Sequence, residues 1–432
     1  MPPTARSIVT QRIASLYKKF PDFEFTPLLV DGLTERDAAL ARAIDHAILR
    51  RWLSLTTLID HATDRNVRQL DSTVGATLLV AAAQLMLMDR IPDHAIIHNA
   101  VEWLKTESKH SRATGFVNAV LRKIVKLRGK LVSKYDLNNP AHFIRKDGTA
   151  FELTVSIFKE GIGQQAGFES PSWSLLCSTL GEEKARHIAL NSLVEAPKIV
   201  TIPQGMFLPE GITPHSKPLC GILENNIDIA LLLKKYPNAR IQDPTPMESL
   251  EICKMLRPKR ILDVCAGRGT KTKQLRSMFP DAFIGATEPN DKRRESLCSI
   301  SKELGITVYQ QGVSGPNEPF DLVVVDVPCS NSGVFARRPE AKYRYKQNKI
   351  DSLVALQREI LNDSFQILHE RGHLIYTTCS IDHRENEEQK NWLIKNKKLK
   401  CISSMLTLPN NTPGECPSNW HDGGFSAMFC RV

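Results

Sequence analysis

Two cysteines and one aspartate stand where short apolar runs end. Asp326 and Cys329 follow an apolar run in DLVVVDVPCS, and Cys379 follows another in LIYTTCS. A cysteine thiolate is a strong nucleophile that can form a covalent intermediate, and a carboxylate can hold a proton on a reacting ligand. Either cysteine alone is more typical of a small buried residue. Adjacent strands lie about 4.8 Å apart, so both thiols could face one ligand if these runs form neighbouring strands.

A glycine-containing turn precedes both cysteines. The segment ILDVCAGRGTKT predicts a strand, a turn and a helix, in which Gly267 and Gly269 let a nucleotide-like ligand approach the backbone. Two glycines at such a turn are common and are weak evidence alone. Glu288 follows about twenty residues later in GATEPN, where a carboxylate can accept hydrogen bonds from both ribose hydroxyls. S-adenosylmethionine is one ligand that fits this pair of sites.

The elements that must position these residues fall into distinct segments. In residues 241–432 the runs RILDVCAG, AFIGATE, FDLVVVDVP and GHLIYTTCS alternate with helical segments, which predicts an α/β Rossmann-like domain with functional residues past the strand ends. Residues 1–135 show helical spacing almost throughout and predict an all-α domain. Residues 136–168 mix Pro, Gly and polar residues, so we expect a linker with a short strand pair. Residues 169–240 predict a small α/β subdomain.

Basic residues concentrate near the end of the helical domain. From Ser108 to Tyr135 there are eight Lys or Arg residues and no Asp or Glu. Arg122 and Lys126 lie away from the apolar side of the helix FVNAVLRKIVKL, and with Lys130 they are the candidates for phosphate contacts. The formal net charge of +10 also favours a polyanionic partner. A solvated helix face is the alternative explanation.

The composition excludes several classes of protein. With 432 residues, of which 42% are hydrophobic, the chain can bury a large core. No apolar run reaches the roughly 20 residues of a membrane span, and the first residues lack the apolar block of a signal peptide. The ten cysteines include no CxxC pair, which argues against a zinc site or a disulfide framework. We therefore expect a cytoplasmic monomer with reduced thiols and no bound metal.

The ordered motifs resemble those of bacterial 16S ribosomal RNA cytosine-5 methyltransferases of the RsmB (Sun/Fmu) type, and the resemblance covers nearly the whole chain. In the helical part the motifs are TERDAALARAIDHAILRRW, MDRIPDHAIIHNAVEWLK and GFVNAVLRKI. In the second half they are QDPTPMESLEI, LDVCAGRGTKT, DVPCSNSGVFARRPEAKYR, TTCSIDHRENEE and DGGFSAMF. The resemblance implies a NusB-like RNA-binding domain, a small subdomain and a Rossmann-like domain that uses S-adenosylmethionine to methylate RNA, with 16S rRNA as the expected partner.

The resemblance also implies roles for individual residues. Cys379 in the TCS motif would be the nucleophile, Cys329 in the PCS motif would assist product release, and Asp326 would lie where cofactor and target base meet. DNA cytosine methyltransferases attack instead with the cysteine of the Pro-Cys motif, so the presence of both cysteines favours RNA. The cofactor site would comprise Cys265, Ala266, Gly267, Arg268, Gly269, Thr270, Lys271, Glu288 and Asp326.

The implied chemistry explains the need for a thiol. Carbon 5 of cytosine is a poor nucleophile, but thiolate addition at carbon 6 turns the ring into an enamine that can attack the sulfonium methyl group. Hydrogen bonding to N3, which Asp326 could support, eases that addition. A base must then remove the carbon 5 proton, and Cys329 or a water beside it is the candidate. The target base must first be unstacked.

Three departures from the family pattern leave a second interpretation open. Residues 267–271 read Gly-Arg-Gly-Thr-Lys where the family commonly has Ala-Pro-Gly-Gly-Lys. Val313 stands where an acidic residue near the adenine is common, and the segment APKIVTIP around Pro197 lacks the usual Arg-Val-Asn. The alternative is therefore an RNA-binding protein with a degenerate methyltransferase domain that grips rRNA without modifying it. A methyltransferase for proteins or small molecules would leave the two cysteines and the basic patch unexplained.

Overall fold

The computed structural model of the chain consists of two units. Unit 1 comprises residues 1–195, 335–344 and 412–415, and unit 2 comprises residues 196–334, 345–411 and 416–432. Val313 lies outside the described residues. Within the residues that the structure describes, no helix is long and apolar enough to cross a membrane. The described residues are 3–24, 26–106, 108, 110–202, 206–224, 227–310 and 318–431.

The helices and strands are numbered in chain order. The helices are α1 Ala5–Tyr17, α2 Glu35–Thr63, α3 Ser72–Leu87, α4 Asp93–Thr106, α5 Thr114–Leu127, α6 Ile162–Gln165, α7 Ser170–Leu180, α8 Glu182–Asn191, α9 Ile229–Lys235, α10 Pro244–Glu251, α11 Thr270–Met278, α12 Asp291–Leu304, α13 Ala341–Arg344, α14 Gln347–Gln366 and α15 Glu387–Lys397. The strands are β1 Lys130–Val132, β2 His142–Ile144, β3 Ala150–Glu152, β4 Lys198–Thr201, β5 Thr213–Pro214, β6 Cys220–Leu223, β7 Arg240–Ile241, β8 Arg260–Val264, β9 Phe283–Thr287, β10 Thr307–Tyr309, β11 Phe320–Asp326, β12 Leu368–Thr378, β13 Leu399–Thr407 and β14 Gly424–Arg431.

Unit 1 is built around the apolar helix α3. The Asp71 carboxylate begins this helix by accepting a hydrogen bond from the backbone N–H of Thr73 at 2.8 Å. Every residue from Val74 to Met86 is buried, and α1, α2, α4 and α5 pack against α3. Helix α5 buries its predicted apolar face, from Val117 to Leu127, in the same core. The all-α amino-terminal domain predicted from the sequence is thus confirmed as far as Leu127, whereas β1 lies in the last part of the predicted range 1–135.

Residues 136–168 contain the short strand pair that we expected, because β2 pairs antiparallel with β3. They are not a linker, since this pair joins β1 in a sheet with the order β1-β3-β2. Phe143 and Phe158 are fully buried and belong to the same apolar core as the helices of unit 1. Unit 1 also extends to Glu195, so α7 and α8 belong to it and not to a subdomain that begins at residue 169.

The segment 335–344 packs inside unit 1, although it follows the PCS motif in the chain. Helix α2 is interrupted at Arg51, whose φ of −115° and ψ of 15° are not helical. The hydroxyl of Tyr343 donates to the carbonyl of Leu49 at 2.7 Å and accepts from the backbone N–H of Trp52 at 3.2 Å. From local sequence patterns we placed this segment in the catalytic domain. Its buried hydrogen bonds with the interrupted helix α2 hold it in unit 1 instead.

Unit 2 contains a seven-stranded sheet with strand order β10-β9-β8-β11-β12-β14-β13. The first five strands pair in parallel, and β14 pairs antiparallel with β12 and β13. Alternate residues of β11 enter different apolar clusters: Leu322 and Val324 on one side, Val323 and Val325 on the other. The predicted Rossmann-like α/β domain is confirmed, since both sheet faces are covered as in doubly wound folds.

The strand order reverses direction between β8 and β11, and ligands of such sheets bind at that point beyond the carboxyl ends of the strands. A separate antiparallel sheet with the order β5-β6-β4-β7 precedes the large one. The turn after β8 and the loops after β9, β11 and β12 therefore meet at one edge and form the candidate site.

Candidate active site

The turn between β8 and α11 has a backbone that leaves room beside it. Cys265, Gly267 and Gly269 have φ values of 60°, 61° and 86°, in the left-handed region that favours glycine. A Cβ atom at Gly269 would lie 2.7 Å from Cδ1 at the flexible end of Ile300, so the φ of 86° is the main reason for glycine there. A Cβ atom at Gly267 would meet nothing within 4 Å, so the space beside this residue is open.

Glu288 lies directly after β9 and contacts this turn. Its side chain is buried, and its Oε2 atom accepts a hydrogen bond from the backbone N–H of Gly267 at 2.8 Å. Its Oε1 atom accepts from the backbone N–H of Asn290 at 2.9 Å. The predicted proximity of the glycine turn and this carboxylate is therefore present, and the carboxylate is fixed by backbone groups on both of its oxygens.

Asp263 is a buried carboxylate under the same turn that the sequence analysis did not single out. Burial raises its pKa to about 7, and the hydroxyl of Thr272, which donates to Oδ2 at 2.6 Å, only partly offsets that effect. The Oδ1 atom has no hydrogen-bond partner among the described residues. The segment ILDV did not predict the burial of this carboxylate, because the burial depends on the neighbouring strands and helices of the folded sheet.

Asp326 at the end of β11 forms an ion pair with Lys271 at the start of α11. The Nζ atom of Lys271 lies 2.6 Å from Oδ1 of Asp326 and 3.1 Å from the hydroxyl of Thr377. That hydroxyl donates to the same Oδ1 atom at 2.8 Å. Asp326 and Thr377 are partners in the parallel pairing of β11 with β12, so the sheet register itself brings them together. The side chain of Asp326 is 37% exposed and accessible to a ligand.

Cys329 and Cys379 lie in the loops that follow these two paired strands. Their Sγ atoms are 3.1 Å apart, and both thiols are free. Cys329 is buried, whereas Cys379 is half-buried. The hydrogen bond with Cys379, together with burial, raises the pKa of Cys329 well above its usual value. From the sequence we expected both thiols to face one ligand if their strands were neighbours. In the structure β11 and β12 do pair.

Asn331 completes the cysteine pair and was not anticipated. The Sγ atom of Cys379 donates to its Oδ1 atom at 3.2 Å, and its Nδ2 atom donates to the carbonyl of Cys329 at 3.0 Å. Its φ of 59° is one that asparagine tolerates better than most residues. The only sequence signal was its place two residues after the cysteine of the PCS motif.

The remaining predicted residues are distributed as follows. Ala266 is buried in the cofactor turn, and Arg268 and Thr270 are exposed there. Arg122, Lys126 and Lys130 lie in unit 1 and are exposed, and the Nζ atom of Lys130 forms an ion pair with Glu152 at 3.0 Å. Among the described residues, no group of three His, Cys, Asp or Glu side chains is arranged to hold a metal ion.

Comparisons with known proteins find similar sequences over most of the chain. Residues 253–414 match the family model described as 16S rRNA methyltransferase RsmB/F, and residues 4–126 match that of the NusB family. The Ribosomal RNA small subunit methyltransferase B of Xanthomonas campestris pv. campestris is 26% identical over 391 residues, which cover 85% of this chain and 81% of that protein. The protein of the same name from Vibrio cholerae is 27% identical over 411 residues, covering 90% of this chain and 89% of that protein.

Two solved structures are similar in fold. The crystal structure of PH0851 superposes with a TM-score of 0.68 at 16% identity and covers 99% of both chains. The structure of NSun6 from Pyrococcus horikoshii with SFG has a TM-score of 0.51 at 14% identity and covers 61% of this chain and 98% of that chain. At these identities the likeness establishes the fold alone.

The raised pKa of Asp263 predicts a pH-dependent effect on stability. The folded state binds this proton more tightly than the unfolded chain, whose carboxyl titrates near pH 4, so stability from this group is lost as pH rises from about 4 to about 7. Asp263→Asn keeps a neutral side chain at every pH. The unfolding free energy of this variant minus that of the parent should therefore rise by on the order of 3 kcal/mol between pH 4 and pH 7.

Urea unfolding at a series of pH values measures this difference. The exposed Asp281→Asn provides the matched control, because it removes a carboxylate that is not buried. If the unfolding free energies of Asp263→Asn and the parent differ by the same amount at every pH, burial does not hold a proton on Asp263.

Proposed function

We propose that this protein, whose residues 253–414 belong to the 16S rRNA methyltransferase RsmB/F family and whose residues 4–126 belong to the NusB family, methylates carbon 5 of a cytosine in 16S rRNA through a covalent cysteine adduct. The match to the methyltransferase family favours an rRNA methyltransferase over a protein that only binds RNA. The names of the relatives, which span most of this chain, support rRNA as the substrate. The observation that carries the finer proposal is the pair of free thiols 3.1 Å apart beyond β11 and β12.

S-adenosylmethionine is the cofactor that the turn after β8 fits. The open space beside Gly267 accepts a ligand close to the backbone, and Glu288 lies within hydrogen-bonding distance of that same backbone N–H. We assign the ribose hydroxyls to Glu288 and the remaining contacts to the turn that runs from Cys265 to Lys271. When bound, this cofactor supplies a methyl group on a positively charged sulfur. Arg268, which departs from the family pattern, is exposed.

Cys379 is the nucleophile in this proposal. Its thiolate adds to carbon 6 of the target cytosine, which makes carbon 5 nucleophilic enough to take the methyl group. Asp326, held by Lys271 and Thr377, accepts a hydrogen bond from N3 of the ring once N3 has taken a proton from solvent, so the thiolate addition leaves no net negative charge on the ring. Half-burial of Cys379 suits it to meet a base that has been unstacked from the RNA.

Cys329 acts in the release step. After methyl transfer, carbon 5 carries both a proton and the new methyl group, and removal of that proton returns its electron pair to the ring while the bond between carbon 6 and Cys379 breaks. The raised pKa of Cys329 makes its thiolate a strong base once formed. Cys329, or a water beside it, therefore takes the proton.

The basic patch of Arg122, Lys126 and Lys130 is assigned to phosphate contacts with the RNA. Arg122 and Lys126 are exposed on α5, opposite its buried face. Lys130 must exchange its exposed ion pair with Glu152 for a phosphate, at little cost because such surface pairs contribute little to stability. We expect the protein to act as a monomer in the cytoplasm.

Loss of the Glu288 carboxylate should weaken cofactor binding. Glu288→Ala removes hydrogen bonds to a charged group worth roughly 1.5–3 kcal/mol each, so the affinity for S-adenosylmethionine should fall about tenfold or more. Calorimetry measures this, with Glu295→Ala as a control that removes an exposed carboxylate from α12. Equal affinity in Glu288→Ala and the parent would place the ribose elsewhere, and a parent without saturable binding would indicate a protein that only binds RNA.

Replacing each of the two cysteines should block a different step of the reaction. Cys379→Ala cannot form the adduct, so methylation and any RNA-linked protein band should vanish while cofactor binding persists. Cys329→Ala should still attack and methylate but release product slowly, so an adduct that survives denaturation should accumulate, and it should disappear in the double variant. Denaturing gels after incubation with RNA and S-adenosylmethionine test this. An adduct in Cys379→Ala but none in Cys329→Ala would reverse the two roles.

Neutralising the basic patch should weaken RNA binding in a salt-dependent way. Replacing Arg122, Lys126 and Lys130 with Gln should reduce the slope of log affinity against log salt by about 2–3 units, because fewer counterions are released. The control replaces three exposed lysines of unit 2, Lys254, Lys395 and Lys400, and causes the same change in net charge. If both triple variants show one common slope, the patch is a solvated helix face.

A further inference from the structure

Glu385 is a buried carboxylate that contacts the loops of both cysteines. It lies in the turn between β12 and α15, and its side chain has no exposed surface. Its Oε1 atom accepts hydrogen bonds from the backbone N–H of Ser330 at 2.9 Å and from Nε2 of Gln357 at 2.9 Å. Its Oε2 atom accepts from the hydroxyls of Ser330 at 2.5 Å and Ser380 at 2.6 Å. Each of these serines directly follows one of the two cysteines in the chain.

The carboxylate is itself held by neighbouring elements of unit 2. The hydroxyl of Tyr376, on β12, donates to the backbone carbonyl of Glu385 at 2.6 Å. The fully buried Gln357, on α14, uses Nε2 to donate to the carbonyl of Pro328 at 3.0 Å as well as to Glu385. The residue before Cys329 is therefore bonded to Gln357 and the residue after it to Glu385, and these two buried side chains are bonded to each other.

We propose that Glu385 is a positioning residue for the methylation reaction, which sets the spacing of the two cysteine sulfurs by holding Ser330 and Ser380 on one carboxylate. The proposal rests on the proposed function, since it assumes that both cysteines act on one base. Neither serine hydroxyl nor Glu385 touches the reacting atoms in this account. Their effect reaches the reaction through the backbone of the two loops.

A carboxylate is suited to this role because it accepts four hydrogen bonds at once from two directions. Burying a charged group is costly unless such bonds satisfy it, and here all four donors come from the surrounding loops and α14. Burial raises the pKa of Glu385, and its bonds to Ser330 and Ser380 oppose that rise. In its charged form Glu385 also raises the pKa of Cys329.

Two substitutions separate geometry from charge. Glu385→Asp keeps the charge but shortens the side chain by about 1.5 Å, so it cannot reach both serines. An error of that size in reacting groups can cost about 100-fold, and we expect kcat to fall by about that factor while KM for S-adenosylmethionine and RNA stays at the parental value. Glu385→Gln keeps the length and can bond both hydroxyls through its amide group, so it should recover most of kcat.

The charge has a separate signature in the pH dependence of adduct release. Release should rise with pH as Cys329 ionises, and removing the charge of Glu385 lowers the pKa of Cys329. The midpoint of release should therefore move to lower pH in Glu385→Gln and stay at the parental pH in Glu388→Gln, which removes the charge of an exposed carboxylate of the same ENEE segment. A group that merely supports folding would not move this midpoint.

A second pair of variants guards against misfolding of Glu385→Asp. Ser330→Ala and Ser380→Ala each delete one hydroxyl, and the double variant should also lower kcat with little change in KM. Melting temperature and cofactor affinity are measured for every variant. Parental kcat in both Glu385→Asp and the double serine variant would overturn the proposal, as would losses of kcat that only follow the loss of folded protein.

The Cys379→Ala variant keeps this test distinct from the test of the proposed function. If the parent does not methylate RNA, or if Cys379→Ala turns over normally, the proposed function fails. If the parent is active and Cys379→Ala is not, while the Glu385 and serine variants behave as the parent, only the positioning role of Glu385 fails.

Discussion

The parallel pairing of β11 with β12 is the contact on which the rest of the candidate site depends. It sets Asp326 opposite Thr377, and each strand then leaves the sheet shortly before its cysteine. Because both loops start from the same edge, Cys329 and Cys379 meet with their sulfurs 3.1 Å apart. A slip of one residue would turn Asp326 to the opposite face and separate the thiols. The hydrogen-bonding register of β11 and β12 thus sets the distance between the two cysteine sulfurs.

The same edge divides into two halves with different tasks. The turn after β8 and Glu288 after β9 provide an open space bounded by backbone and a fixed carboxylate. The loops after β11 and β12 provide the thiols. Lys271 joins the halves, because it lies at the start of α11 and pairs with Asp326 at the end of β11. The methyl donor and its acceptor can therefore meet at the point where the strand order reverses.

Local patterns in the sequence were sufficient for part of this arrangement. The apolar run Leu322 to Val325 predicted a strand buried on both faces, and Glu288 was placed near the glycine turn by its spacing alone. Contacts between distant segments were not predictable in this way. Glu385 lies 55 residues after Ser330, and only the folded loops show that they share a hydrogen bond. The packing of residues 335–344 within unit 1 is of the same kind, since nothing near that segment signals its distant partner.

The central claim is that Cys379 forms the covalent bond to cytosine. RNA that carries fluorine at carbon 5 of cytosine traps this adduct, because no base can remove the fluorine after methyl transfer. Trypsin separates the candidates into the peptides 372–384, with Cys379, and 303–337, with Cys329. After incubation with S-adenosylmethionine and digestion, mass spectrometry should find the methylated nucleotide on peptide 372–384. The nucleotide on peptide 303–337, or on neither peptide while unmodified RNA is methylated, would contradict the account.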